Sequence, residues 1–139
     1  MARVLIVLAA VIVTAVVAAP ASAQERVFVP RDCETNAFKP KSITVSCADS
    51  NFRVTKIRWN AYGTSAANGS ATARVNDCEP DCAGGTFRKY PATVRLTRVR
   101  QCGDVPQFTR IAVTFTGKRP KGMSKTERER FTCADAPGY

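Results

Sequence analysis

The chain has 139 residues, with 21 Lys and Arg against 11 Asp and Glu, six cysteines and no histidine. The missing histidine excludes Ser-His-Asp and Cys-His catalytic machinery and leaves a zinc site only cysteine to draw on for nitrogen or sulfur ligands. A formal net charge of +10 directs attention to anionic partners.

Residues 1–23, MARVLIVLAAVIVTAVVAAPASA, read as a signal peptide. Arg3 supplies the positive start, 4–19 is an apolar run interrupted by Thr14, and Ala21-Ser22-Ala23 is a small-x-small cleavage site. The run is shorter than the ~20 residues of a spanning helix, so no membrane insertion is expected after cleavage. No twin-arginine pair and no cysteine near the cut point to another route. The expected mature chain, 24–139, is one secreted, extracellular β domain. Cleavage removes one of the 21 basic residues, Arg3, leaving 20 against 11 acidic ones and a net charge of +9.

Beyond the leader come short runs that alternate with period two, as half-buried strands do. In SITVSC (42–47), Ile43, Val45 and Cys47 share one face. In TKIRWNA (55–61), Ile57, Trp59 and Ala61 share another, with Trp59 expected in the core. ATARV (71–75) turns Ala71, Ala73 and Val75 inward, and ATVRLT (92–97) turns Val94 and Leu96 inward with Thr93, Arg95 and Thr97 outward. TRIAVTFTG (109–117) sets Ile111, Val113 and Phe115 against Arg110 and Thr114. Asn68-Gly69, which tolerates positive φ, is the expected turn between the Trp59 and Arg74 strands. Pro40, Pro80, Pro91, Pro106 and Pro120 are expected outside strand centres, where a missing N–H does no harm. SKTERERF (124–131) fits a capped helix, Ser124 to Glu127, or an edge strand. The whole predicts an all-β fold: a disulfide-stapled β-sandwich or partly closed antiparallel barrel of about six or seven strands.

Chemistry, if present, would sit in NDCEPDCAGG (76–85). Zinc would consume four cysteines, and Cys33, Cys47, Cys102 and Cys133 show no short paired spacing to complete a site with Cys78 and Cys82. Asp77, Glu79 and Asp81 imitate the first, third and fifth positions of a calcium loop, but the sixth is Cys82 instead of Gly and the twelfth is Arg88 instead of Glu. A looser calcium site stays open. The C-x-x-x-C spacing is one residue too long for a thioredoxin-type redox pair. A turn around Pro80 brings the pair within bonding distance, so a local staple is expected, although pairing to distant cysteines is also allowed. Six cysteines permit 15 connectivities. Cys33–Cys47 would close one further loop and Cys102–Cys133 would tie down the tail. The acids crowd the cysteine-flanking loops, and none sits inward on a strand. No catalytic residue, metal ligand or cofactor site is therefore assigned, and the chain reads as non-enzymatic.

FKPKSITVSCADSNFRVTKIRWNAYG, NDCEPDCAGG, YPATVRLTRVRQC and a final cysteine together resemble a group of small secreted six-cysteine proteins of actinobacteria. That pattern runs F-x-P-x-x-I-x-x-x-C, I/L-x-W-x-x-W/Y-G, C-x-P-x-C-A-x-G and P-V/A-T-V. Tyr62 stands where Trp is commoner. The resemblance spans Phe38 to Cys133 and implies export and the cysteine framework; it brings no activity with it.

Two functional readings remain. In one, a basic Thr/Arg-rich surface, with Arg95, Arg110, Lys118, Arg119, Lys121 and Lys125 as candidate anion-binding residues, holds an anionic polymer of the cell envelope or its surroundings. No specific nucleic-acid partner is expected. In the other, a loop clipped by Cys78–Cys82 presents Glu79 and Asp81 to another secreted protein, as a protease inhibitor does. Intact mass spectrometry of the exported protein should show a start at Gln24 and six hydrogens fewer than the reduced chain. Free thiols, or mass lost on chelation, would return the 76–85 loop to a metal site.

Overall fold

The computed structural model describes residues 25–134 and 136–137; the leader expected at 1–23 lies outside them. All regular elements among the described residues are strands. They are β1 (Val29–Pro30), β2 (Thr35–Ala37), β3 (Ile43–Thr44), β4 (Phe52–Tyr62), β5 (Ala66–Asn76), β6 (Phe87–Cys102), β7 (Val105–Phe115), β8 (Thr126–Arg130) and β9 (Ala136–Pro137). Strands β3 to β8 form a six-stranded sheet in sequence order, every pair antiparallel. A smaller sheet places β2 between β1 and β9.

The N-terminal segment closes the larger sheet partway. The Phe28 amide donates to the Pro106 carbonyl at 2.9 Å, and the Phe108 amide donates to the Phe28 carbonyl at 2.8 Å, along the part of β7 that β8 leaves free. On the other side the Thr44 amide donates to the Arg31 carbonyl at 2.8 Å. Residues 28–31 thus bridge both margins, and the result is a half-barrel. Its interior is apolar: Val27, Val29, Ile43 and Val45 meet Val54, Leu96, Ile111, Val113, Phe108 and Phe115.

The expected alternation holds in β5, β6 and the second half of β7, where Ala73, Val75, Val94, Leu96, Ile111, Val113 and Phe115 are buried. Strand β4 departs from it twice. Between the pairs Thr55↔Thr72 and Arg58↔Ser70, two residues, Lys56 and Ile57, face one. Lys56 takes up the extra length at φ 53°. A second extra residue, Asn60, lies between Trp59↔Gly69 and Ala61↔Asn68. Each bulge reverses the parity of the residues beyond it. Phe52, Val54, Ile57, Trp59 and then Tyr62 consequently face inward, and Ala61, expected inward, is exposed. Trp59 is partly buried and its Nε1 donates to the Pro40 carbonyl at 3.0 Å. The Tyr62 hydroxyl donates to the Val27 carbonyl, and burial pushes its pKa up to about 12.

Asn68-Gly69 is not a turn. Both residues lie inside β5, and the chain reverses at residues 63–65, where the Gly63 amide donates to the Ala66 carbonyl at 2.9 Å. Gly69 is required for close approach instead, since a Cβ there would collide with the Arg58 carbonyl beside the bulge. Pro91 and Pro106, expected outside strand centres, lie within β6 and β7, Pro106 as the second residue of its strand. The Pro91 carbonyl accepts from the Thr116 amide, so its missing N–H faces the same side, where β7 has just ended. SKTERERF resolves as the edge strand β8. Glu127 still accepts from the Ser124 amide, at 2.6 Å, which is the capping contact without a helix to cap.

Cys33–Cys47, Cys78–Cys82 and Cys102–Cys133 are bonded, with Cα separations of 5.7, 3.8 and 5.3 Å. In the loop-entropy account they contribute roughly 3, 2 and 3.7 kcal/mol, so the local clip stabilises least. The tail gains a second anchor from Gln107, fully buried on β7. Its Nε2 donates to the Thr132 carbonyl and its Oε1 accepts from the Ala134 amide, both at 2.9 Å.

Gly69→Val should place two branches against the Arg58 carbonyl and cost about 1–3 kcal/mol, read as a lower urea midpoint. Asn68→Gly, at the neighbouring exposed position, should change it by less than about 1 kcal/mol.

Candidate functional site

The 76–86 loop is held by its own backbone. Asn76, buried at the end of β5, donates from Nδ2 to the Cys82 carbonyl at 2.7 Å and to Asn51 Oδ1 at 2.9 Å, and accepts from the Cys78 amide at 3.1 Å. Asp77 Oδ1 accepts from the amides of Thr86 at 2.8 Å and Glu79 at 3.3 Å, while Oδ2 pairs with Arg88 Nε at 2.8 Å. Asp81 Oδ1 accepts from the Gly84 amide at 2.7 Å. The expected turn around Pro80 is present, with a cis bond before the proline and the Cα atoms of Cys78 and Cys82 3.8 Å apart. Two of the three acids that imitated a calcium loop are committed to amide donors. Among the described residues no three acidic or sulfur side chains converge as metal ligands. Glu79 stands exposed at the tip.

The basic residues lie elsewhere, on the outer face of the large sheet. Strands β4 to β7 contain no Asp or Glu. With the inner face apolar, every second residue points outward, and at one end these are arginines. The register sets Arg95 opposite Ala112 and Ala112 opposite Arg128; the next row is Thr97, Arg110 and Arg130. Ala112 is therefore a small floor between Arg95 and Arg128, which sit two strand spacings, ~10 Å, apart. Arg95, Arg110, Arg128 and Arg130 surround a concavity of about 520 Å³. Arg98 and Arg100 line an adjoining one of about 510 Å³, which shares Arg110 and Arg130.

These charges repel each other. Arg110 and Arg130 are directly opposed, an arrangement that destabilises a sheet. Two ion pairs form among the described residues, Arg31–Asp32 and Arg88–Asp77, and neither involves these arginines. Glu129 borders the concavity, but it is paired with Ile111, on the opposite parity from Arg128 and Arg130. Among the described residues these arginines have no ion-paired acid, so their positive field faces solvent and favours an anion. Arginine suits the role because its planar fork binds carboxylate or phosphate through two parallel hydrogen bonds.

The structure divides the sequence-derived candidates. Arg95 and Arg110 come together. Lys118, Arg119 and Lys125 lie on the β7–β8 connection around Gly117, beyond the other end of those strands. Lys121 shares a concavity of about 400 Å³ with Glu79 and Asp77 at the clipped loop. Arg128 and Arg130 were not among the candidates. Their signal was the Arg-x-Arg alternation in TERER, which has meaning only once that segment is a strand.

Comparison with protein-family models, with curated proteins and with solved structures finds no match.

The Thr86 amide, followed by the Glu79 amide and Arg88, holds the Asp77 carboxyl below its ordinary 3.8. As pH falls beneath that value the unfolded carboxyl takes up its proton first, so the contribution of Asp77 is full at neutral pH and declines in acid. Asp77→Ala should lower the melting temperature at neutral pH, with the gap to wild type shrinking steadily below pH 3.8. A gap independent of pH would assign the effect to packing instead.

Proposed function

We propose that the protein is an exported, non-enzymatic binding module that holds an anionic polymer of the cell envelope or its surroundings on the outer face of its large sheet. The observation that carries this reading is the arginine cradle: Arg95, Arg110, Arg128 and Arg130 around Ala112, none of them ion-paired to an acid among the described residues. Three disulfides fit an oxidising compartment. The leader-like residues 1–23 and the resemblance to secreted six-cysteine proteins of actinobacteria agree with export. A one-faced basic sheet attracts a polyanion over about a Debye length, ~8 Å at physiological salt, and its arginines then form charge-assisted contacts.

The stiff 76–86 loop favours the second reading, a secreted protein-binding module or protease inhibitor that presents Glu79. The two separate by mutation. Arg110→Glu with Arg130→Glu should weaken salt-sensitive sedimentation with cell envelopes by at least about tenfold, the scale of one charge-assisted contact. Glu79→Ala with Asp81→Ala should leave it unchanged. The reverse pattern, measured against secreted proteases, would establish the inhibitor. Wild-type protein that neither sediments nor inhibits would remove both.

A further inference from the structure

The cradle occupies one end of the outer face, and the other end carries a second cationic cluster. Arg53, Arg74 and Lys89 lie side by side on β4, β5 and β6. Both guanidiniums cover the ring of Phe87, at 5.7 Å for Arg53 and 5.4 Å for Arg74. Their Nε atoms are buried and find no acceptor among the described residues. A buried charged donor without an acceptor is costly, and no acid lies on these strands to relieve it. With Nε covered, the donors left to a ligand are the Nη groups, and stacking on Phe87 fixes where they stand. Little ordering remains to be lost on binding.

Hydroxyls lie between the two clusters. One row across the sheet is Arg58, Ser70, Thr93, Thr114 and Thr126, and an adjacent one pairs Thr55 with Thr72. Ser70 and Thr93 are exposed. Along β6, Lys89 marks the second cluster and Arg95 the near row of the cradle, six residues and so ~20 Å apart. Along β6 the outward face is cationic at Lys89, hydroxylic at Thr93 and cationic again at Arg95, and on β4 Arg58 adds a charge to the middle row.

The geometry points to a single extended occupant that engages both clusters at once: an acidic glycan, whose ring hydroxyls meet the Ser/Thr rows while its repeated anionic groups meet the arginines. This deepens the anionic-polymer reading and rests on it. A single-stranded nucleic acid carries the same charge but draws affinity from bases stacked on open aromatic rings. The outward positions of β4 to β8 hold one such ring, Phe87, and two guanidiniums already cover it.

The test is a titration of the disulfide-intact chain at fixed salt with length series of oligogalacturonate, of heparin fragments and of oligothymidylate. Fragments too short to span ~20 Å should bind through the cradle alone. Fragments that span it should bind about tenfold tighter or more, as a second tethered contact provides. Arg53→Gln with Arg74→Gln should abolish that gain and leave short-fragment affinity unchanged. Lys89→Glu, at an exposed position where folding is not at stake, should reduce the gain as well. A step with oligogalacturonate alone assigns the anion as carboxylate, and one with heparin fragments alone as sulfate. Short-fragment binding lost in Arg110→Glu/Arg130→Glu, with no length step in either glycan, overturns the two-cluster track and leaves the cradle standing. An equal or larger step with oligothymidylate overturns the glycan assignment. Absence of binding at every length removes the anionic-polymer reading itself.

Discussion

One face of the six-stranded sheet lies under Val27, Val29, Ile43 and Val45, and strand alternation sends every second residue to the opposite face. Burial of one side therefore dictates the other. The inward positions take Val, Leu, Ile and Phe, and each is worth roughly 1.5–3 kcal/mol when fully buried. The outward positions are released from packing, and they carry Arg, Lys, Thr and Ser with no acid on β4 to β7. Directly opposed pairs such as Arg110↔Arg130 and Arg53↔Arg74 act against the sheet that displays them. A surface shaped for solubility alone would interleave the two signs.

The small N-terminal layer is what holds that burial in place. Its strands are two or three residues long and have little pairing of their own. Cys33–Cys47 ties the β1–β2 turn to the end of β3, residues 28–31 hydrogen-bond to both margins of the large sheet, and Tyr62 and Trp59 reach up from β4 to Val27 and Pro40. At the other end, Cys102–Cys133 and the two Gln107 contacts fix the tail. The staples lie on the covering layer and the loops, and the basic face carries none. Disulfides and polar anchors hold the cover on, so that the outer face can be given over to charge.

The stretch with the richest apparent chemistry, Asn76 to Gly85, is spent on structure. Asn76 supplies three hydrogen bonds, and Asp77 and Asp81 receive backbone amides. Acids in a short clipped loop are the nearest available acceptors for amides that have left the sheet, which is the ordinary use of Asp and Asn in turns. Gly85 belongs to the same arrangement, since a Cβ there would collide with the Asn76 side chain. Residues 79–84 are exposed, and among the described residues Glu79 is the acid of this loop that accepts no backbone amide; it shares a concavity with Lys121.

The all-β class and the inward residues of β5 to β7 were legible because each depends on local pattern, period two and apolar parity. Cysteine spacing suggested Cys78–Cys82 as a local clip but left fifteen connectivities open, and only the fold chose among them. The errors fell where a non-local pairing overrides that pattern. Asn68-Gly69 has the chemistry of a hairpin turn, yet Gly69 is there because the bulged β4 backbone presses on it. Ala61 and Tyr62 exchanged faces because Asn60 is an extra residue, and a bulge is defined only against the strand opposite. The arginine cradle was half legible. Arg95 and Arg110 stood out as outward residues, but Arg128 and Arg130 joined them only when TERER took its place beside β7. The sequence by itself determined which residues are cationic and which are apolar, since those are properties of single side chains and their period. Tertiary structure alone decided which cations share a face, because strand register joins residues far apart in the chain, and a shift of one residue would have scattered them to opposite sides.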